Sequence, residues 1–325
     1  MMDAFREIQM IAGASKLVNV CAQVKPGEKV LITTDYEKLS IARSLATATY
    51  EVGAEPIIMI LPPRPAHGVD PPPGVAEAMR VSDVVFQPVA KSIAHTLATR
   101  QTKESGGRVI VMAEFTEGMM ISGGMEADFE AQRPLCEKMC QFLTEAKEAR
   151  VLHELGTDIT MSLEGRKGRA LVGMATEPGG YSAPPNIEAS IAPVEGTAKG
   201  RIVVNGSISG IGLLRSPVTI RVKDGNAVAF EGGEEAQVLK QALESSNDPL
   251  VYNIGELGIG FNPKARLQGL MLEDEGSFGS VHIALGSYAD FGGKTRTSRH
   301  IDNIMRGATV ILDGKIVLDK GEPKI

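Results

Sequence analysis

At about Ala149 the hydrophobic pattern of this chain changes period, and that change limits the fold more than composition does. Upstream, helical and strand patterns alternate. Ala4 to Ala22 has helical apolar spacing, Lys25-Pro26-Gly27-Glu28 is a turn, and Lys29 to Thr33 reads as a buried strand. Ser40 to Glu51 is an Ala-rich helix closed by Gly53, and Glu55 to Leu61 is a strand ended by Pro62-Pro63. A Pro-rich loop to Gly74 and a short helix lead to strands at Asp83–Gln87 and Arg108–Met112, then a long helix from Asp128 to Lys147. Strand, helix and strand at these lengths imply parallel pairing with crossover helices. Downstream, short β runs are split by Gly, Asn and Asp. Two hairpins are expected: Val218–Val222 with Val228–Phe230 across Asp224-Gly225, and Val310–Leu312 with Lys315–Leu318 across Asp313-Gly314. One helix, Glu234 to Glu244, interrupts them. The expected fold is an α/β N-terminal domain with a parallel sheet, residues 1–147, followed by a β-rich α+β metal-binding domain, residues 148–325.

The 325 residues, 43% hydrophobic and 23% charged, suffice for two soluble domains. A net charge of −6 without a basic run argues against nucleic acid as a partner. No stretch approaches the roughly 18 apolar residues of a membrane span. The N-terminal MMDAFREIQMIAG carries early acids and is not expected to act as a secretory signal. The odd set Cys21, Cys136 and Cys140 then points to a reducing cytoplasm. Cys136 and Cys140 lie one helical turn apart, but no second pair completes a zinc site, so they read as neutral thiols.

Several sites are excluded. The strand ending in Thr33-Thr34-Asp35-Tyr36 lacks the glycines of a dinucleotide turn. Gly258-Ile259-Gly260 runs into Phe261-Asn262-Pro263, which cannot open a helix smoothly. There is no Walker loop, and Gly206-Ser207-Ile208-Ser209-Gly210 does not set its serine as a nucleophile elbow. His153-Glu154 begins like a zincin helix but has no second histidine.

Five residues remain as metal candidates: Glu188, Glu256, His282, His300 and Asp302. His300 and Asp302 are two apart, so on a strand they share a face and can meet one metal. Glu188, amid small and apolar residues, requires either a cation or solvent. Glu256 lies in the glycine-rich run Gly255-Glu256-Leu257-Gly258-Ile259-Gly260. His282, inside an apolar strand, reads on its own as a hydrogen-bonded core histidine. Imidazole with carboxylate suits Zn, Mn, Co or Fe.

Taken in order, several segments resemble the aminopeptidase T and aminopeptidase S family of metallo-aminopeptidases. They are Gly156-Thr157-Asp158-Ile159-Thr160, Asn186-Ile187-Glu188, Asn205-Gly206-Ser207, Gly255 to Gly260, Glu273-Asp274-Glu275, Gly279 to Gly286, and His300-Ile301-Asp302. The resemblance implies that Glu188, Glu256, His282, His300 and Asp302 bind two divalent ions (Zn, Co or Mn), with Glu188 and Glu256 also catalytic. That family's catalytic tyrosine falls seven places after the first histidine; here Tyr288 is six places on and Ala289 holds the seventh. The chain also looks like the iron-dependent 2,5-dihydroxypyridine dioxygenases, with which it shares Tyr252 and Gly292-Gly293-Lys294. There the position of Glu256 is a histidine, and those of Glu188 and His282 are not acid and imidazole. The ligands side with the aminopeptidases and the length with the dioxygenases.

The expected function is therefore a dinuclear hydrolase of amide or peptide bonds, most simply an aminopeptidase, using metal-activated water, with Tyr288 stabilising an oxyanion. The alternative is a mononuclear Fe(II) ring-cleaving dioxygenase using His300, Asp302 and either Glu256 or His282. A third class is a non-enzymatic, metal-binding or metal-free module. The expected partners are a small-molecule or peptide substrate and, through the resemblance, a second copy of the chain in a homodimer or higher homo-oligomer.

Overall fold

The computed structural model describes residues 4–325. The chain opens with α1 (Ala4–Lys16), continued by a π-helical turn at Leu17–Cys21. It then alternates β1 (Lys29–Thr34), α2 (Leu39–Glu51), β2 (Glu55–Ile60), α3 (Pro73–Arg80), β3 (Val84–Val89), α4 (Leu97–Glu104) and β4 (Arg108–Ala113). β3 and β4 are buried throughout; strands covered on both faces read as continuous apolar runs. Leu31, Val85 and Val89 pack with Val75 and Met79 of α3 and Ala98 of α4. Each such buried Leu, Val or Met side chain contributes roughly 1.5–3 kcal/mol. Thr96 caps α4, its Oγ1 accepting from Thr99 N at 3.3 Å. Helix α4 is mostly polar and α5 (Glu117–Ile121) has only five residues, so neither is expected from the sequence.

The chain continues through α6 (Phe129–Glu145), β5 (Glu148–Leu152), β6 (Asp158–Ser162) and β7 (Arg169–Leu171). It then returns to the parallel sheet with β8 (Tyr181–Ser182), giving the order β2-β1-β3-β4-β8. All four pairings in this sheet are parallel. Two compact units result: residues 1–129 with 172–185, and residues 130–171 with 186–325. The division thus differs from the expected boundary at 147/148. The segment 172–185 is held in the first unit by Ala175 N donating to Cys21 O at 2.7 Å and Val109 N donating to Gly180 O at 2.9 Å. Helix α6 belongs to the second unit through Gly168 N donating to Thr144 Oγ1 at 2.9 Å and Lys315 Nζ lying 4.6 Å from the Phe142 ring centroid.

The second unit goes on through β9 (Glu188–Ile191), β10 (Lys199–Val204), β11 (Ser207–Ile208), β12 (Gly212–Leu213), β13 (Val218–Lys223), β14 (Asn226–Glu231) and α7 (Glu234–Glu244). Then come β15 (Ile254–Gly260), α8 (Met271–Asp274), β16 (Val281–Gly286), β17 (His300–Met305), β18 (Thr309–Leu312), β19 (Lys315–Asp319) and β20 (Glu322–Pro323). They form an eight-stranded sheet, β14-β13-β10-β6-β5-β18-β19-β20, and a seven-stranded sheet, β12-β11-β17-β16-β15-β9-β7. The α/β unit with a parallel sheet and the β-rich second unit are the expected fold class. No helix among the described residues is long and apolar enough to cross a membrane.

Both Asp-Gly hairpins form. Asp224 and Gly225 have φ of 49° and 77°, and Asp313 and Gly314 have 46° and 83°, the doubly left-handed turn that matches strand twist. A methyl on Gly225 would lie 2.4 Å from Gly196 N, whereas one on Gly314 would meet nothing within 4 Å. Gly314→Ala is therefore expected to cost only the left-handed strain, about 1–2 kcal/mol, and Gly225→Ala distinctly more. Equal urea midpoints for the two variants would contradict the close approach at Gly196.

Candidate metal centre

The register of the seven-stranded sheet places every expected ligand on one face. Antiparallel partners that lie directly opposite share a face, as do residues two apart. Gly260 is opposite Glu188, Gly258 is opposite both Ser190 and His282, and Glu256 is opposite Ala284. Across the next ladder Ala284 faces Asp302 and Gly286 faces His300. Each candidate ligand therefore looks across at least one ladder to Gly or Ala. The alternate residues Ala189, Ile191, Leu257, Ile259, Val281, Ile283 and Leu285 are buried and apolar, so the opposite face is core.

The small residues are a steric requirement. A Cβ on Gly258 would lie 2.1 Å from His282 Nε2, so the imidazole occupies the space that a side chain there would fill. It leans across to Glu188 Oε2 at 3.4 Å and Glu256 Oε1 at 3.7 Å. The other oxygen of Glu256 lies 3.1 Å from His300 Nε2, which is itself 3.0 Å from Asp302 Oδ1. Two ligand groups result, Glu188–Glu256–His282 and Glu256–His300–Asp302, each with its atoms within 4.8 Å of one another and with Glu256 common to both. His300 Nδ1 lies 2.7 Å from Ser287 O; as donor to that carbonyl it leaves Nε2 for a metal. Glu188, Glu256, His282 and Asp302 are buried, while His300 is the exposed member.

The electrostatics fit a cation. Burial penalises Glu256, but the His282 and His300 imidazoles beside its two oxygens hold its carboxyl well below the usual range. Burial also opposes a charge on His282. The negative charges of Glu256, Glu188 and Asp302 around it more than offset that and push the imidazole pKa up to about 9. His300 is raised well above its ordinary value against burial, chiefly by Asp302, and Asp302 is lowered chiefly by His300. Glu188 is raised, by burial first. Glu188 Oε2, His282 Nδ1 and Asp302 Oδ1 are buried without a hydrogen-bond partner. Buried carboxylate and imidazole atoms left without hydrogen-bond partners are costly, and a divalent ion would satisfy them. Carboxylate and imidazole donors suit Fe(II), Mn and Zn alike, so the residues fit a metal.

Tyr288, expected on the sequence to be catalytic, is at the site. Its hydroxyl is 2.6 Å from Ser190 Oγ, and its ring stacks on His300 with centroids 5.8 Å apart and planes at 23°. Burial first, then the charge of Glu256, pushes its pKa well above the ordinary value. Sequence reasoning did not single out Glu275. Its Oε2 accepts from Asn186 Nδ2 at 3.1 Å, and burial, then the charges of Asp302 and Glu188, push its pKa well above the ordinary carboxylate value. The signal was the Glu273-Asp274-Glu275 run three residues before Phe278 and the ligand strand. Tyr252 instead packs against Phe230, at 6.3 Å between centroids. His153 accepts from Leu155 N at 3.0 Å in a turn, as its exclusion from a zincin site implied.

Two outcomes are expected. Gly258→Ala should displace the His282 ring and lower metal affinity on the order of 10–100-fold, the range for disturbed ligand support; unchanged affinity in equilibrium dialysis would refute the cradle. Metal binding must also displace imidazole protons. Because the metal-free His300 imidazole holds its proton well above the ordinary histidine range, apparent affinity should rise with pH through the neutral range. A flat profile would contradict the pairing.

The family model for NicX, 2,5-dihydroxypyridine 5,6-dioxygenase, matches residues 9–324. The 2,5-dihydroxypyridine 5,6-dioxygenase of Pseudomonas putida is 26% identical over 262 residues, covering 75% of this chain and 72% of that protein. The solved 2,5-dihydroxypyridine dioxygenase from Pseudomonas putida KT2440 superposes with a TM-score of 0.83 at 20% identity, covering 98% of this chain and 97% of that one. Wild-type AmpT from Thermus thermophilus gives 0.72 at 16% identity, covering 98% and 100%, a likeness of fold alone. The expected hydrolase, aminopeptidase and metalloprotease reading is thereby overturned. It rested on an inventory of ligands, and carboxylates with imidazoles on this face serve hydrolytic and oxygen-using metals equally. The full-length match makes this chain a member of the NicX, 2,5-dihydroxypyridine 5,6-dioxygenase, family.

Proposed function

We propose that this chain is an Fe(II)-dependent dioxygenase that opens a hydroxylated nitrogen-containing aromatic ring of the 2,5-dihydroxypyridine class. The observation that carries the reading is the family match over residues 9–324; the buried carboxylate–imidazole cluster supports it as a place for the metal. Glu256, His300 and Asp302 would hold the ion. Bound there, Fe(II) supplies the activation of dioxygen and of the ring hydroxyl.

The chain's own residues account for the rest. Glu256 is fixed from both sides, one oxygen beside His282 and the other beside His300, so its orientation is set before a metal arrives. Glu188 shares the neutralisation of His282. His300 is the exposed ligand, which marks the side from which a ring can approach. Tyr288 covers the His300 imidazole and stays protonated, with its O–H beside Ser190. It braces one face of the imidazole and keeps a hydroxyl near the ring's approach. A homo-oligomer is part of the same reading, and light scattering on the eluting peak of a sizing column would test it.

The decisive assay is oxygen uptake by the iron-loaded chain with 2,5-dihydroxypyridine. Oxygen should be consumed as the ring absorbance is lost, and His300→Ala should lower the rate by more than about 100-fold while keeping the far-UV spectrum. Turnover that persists without oxygen, or a fully active His300→Ala, would overturn the reading.

A further inference from the structure

The sheet face that carries the carboxylates also carries a cation. Arg169 of β7 lies directly opposite Ser190, and Leu171, two residues on, lies opposite Glu188. The Arg169 guanidinium is 3.7 Å from the Phe291 ring centroid. Phe291 packs against Tyr288 at 5.2 Å between centroids, and Tyr288 stacks in turn on His300. A guanidinium, a phenyl, a phenol and the exposed ligand imidazole therefore form one row. The row is closed along the sheet by Ser190, which meets the Tyr288 hydroxyl and faces Arg169. Stacking engages the flat face of a guanidinium, while its N–H donors lie in the plane around its edge and suit the paired lone pairs of an anionic oxygen. The charge of Arg169 is felt by both Glu188 and Tyr288, so it belongs to the electrostatics of the site.

We propose that Arg169 is the specificity-determining cation of the substrate site, binding an ionised oxygen of a hydroxylated aromatic ring that lies along the Phe291–Tyr288–His300 row. This inference rests on the ring-opening reading above. It assigns the aromatic row and the cation to substrate recognition, and the carboxylate–imidazole cluster to the metal.

The test uses the full chain loaded with iron and steady-state oxygen uptake across a panel of hydroxylated pyridines and benzenes, with Arg169→Met and Arg169→Lys. Loss of one charge-assisted hydrogen bond should raise KM by about 10–100-fold in Arg169→Met. Retained iron should be unchanged, kcat should move far less than KM, and Arg169→Lys should recover part of the loss. An unchanged KM in Arg169→Met beside an active wild type overturns the inference and leaves the ring-opening reading standing. Loss of iron from Arg169→Met also overturns it, by showing a structural role. Failure of the wild type to consume oxygen with every ring in the panel overturns the ring-opening reading, and the inference with it.

Discussion

Three buried carboxylates, the buried His282 and the exposed His300, gathered on one face of a β-sheet, set the terms for the rest of this structure. Such groups are costly to remove from water unless they are paired or bind a cation. Here they are paired in a chain, from Glu188 through His282, Glu256 and His300 to Asp302. Glu256 is the common member, and its two oxygens meet different imidazoles. Removing any one member would strand a charge on its neighbour. The opposite face of the same strands is filled by Ile, Leu, Val and Ala, so the apolar core holds the polar row in place.

The strand sequences show how the row is accommodated. A pleated sheet has no spare volume for imidazoles and carboxylates on adjacent strands unless their cross-strand partners are small. Gly258, Gly260, Ala284 and Gly286 provide that space. At Gly258 it is taken up by the His282 ring itself. Gly260 serves a second purpose: an added Cβ there would lie 2.2 Å from Ser277 O and 2.6 Å from Glu275 O, so the loop bearing Glu275 can lie against the strand. The same glycines therefore admit both the candidate ligands and the Glu275 loop beside them.

Much of this was legible in the sequence. Alternation of apolar and polar residues marked the strands, the two Asp-Gly pairs fixed their hairpins, and His300-Ile301-Asp302 announced a shared face. The five candidate ligands were named individually, but their coming together was not derivable from spacing, because β9, β15, β16 and β17 are joined by long connections and meet only through sheet register. Two limits were physical. The return of 172–185 to the parallel sheet depends on backbone pairing of a two-residue strand, which leaves no hydrophobic period to read. The reaction was misread because donor atoms report which cations bind, not which chemistry follows. The family match over nearly the whole chain overturned the hydrolytic reading.

The claim on which this account depends is that the carboxylate–imidazole row binds a cation. It is tested most directly by the iron retained per chain after anaerobic loading and desalting, with thermal stability followed on the same samples. The account predicts about one tightly held equivalent, with the loaded chain melting at higher temperature than the metal-free one. A chain that retains no iron, and melts at the same temperature with and without it, would contradict the account.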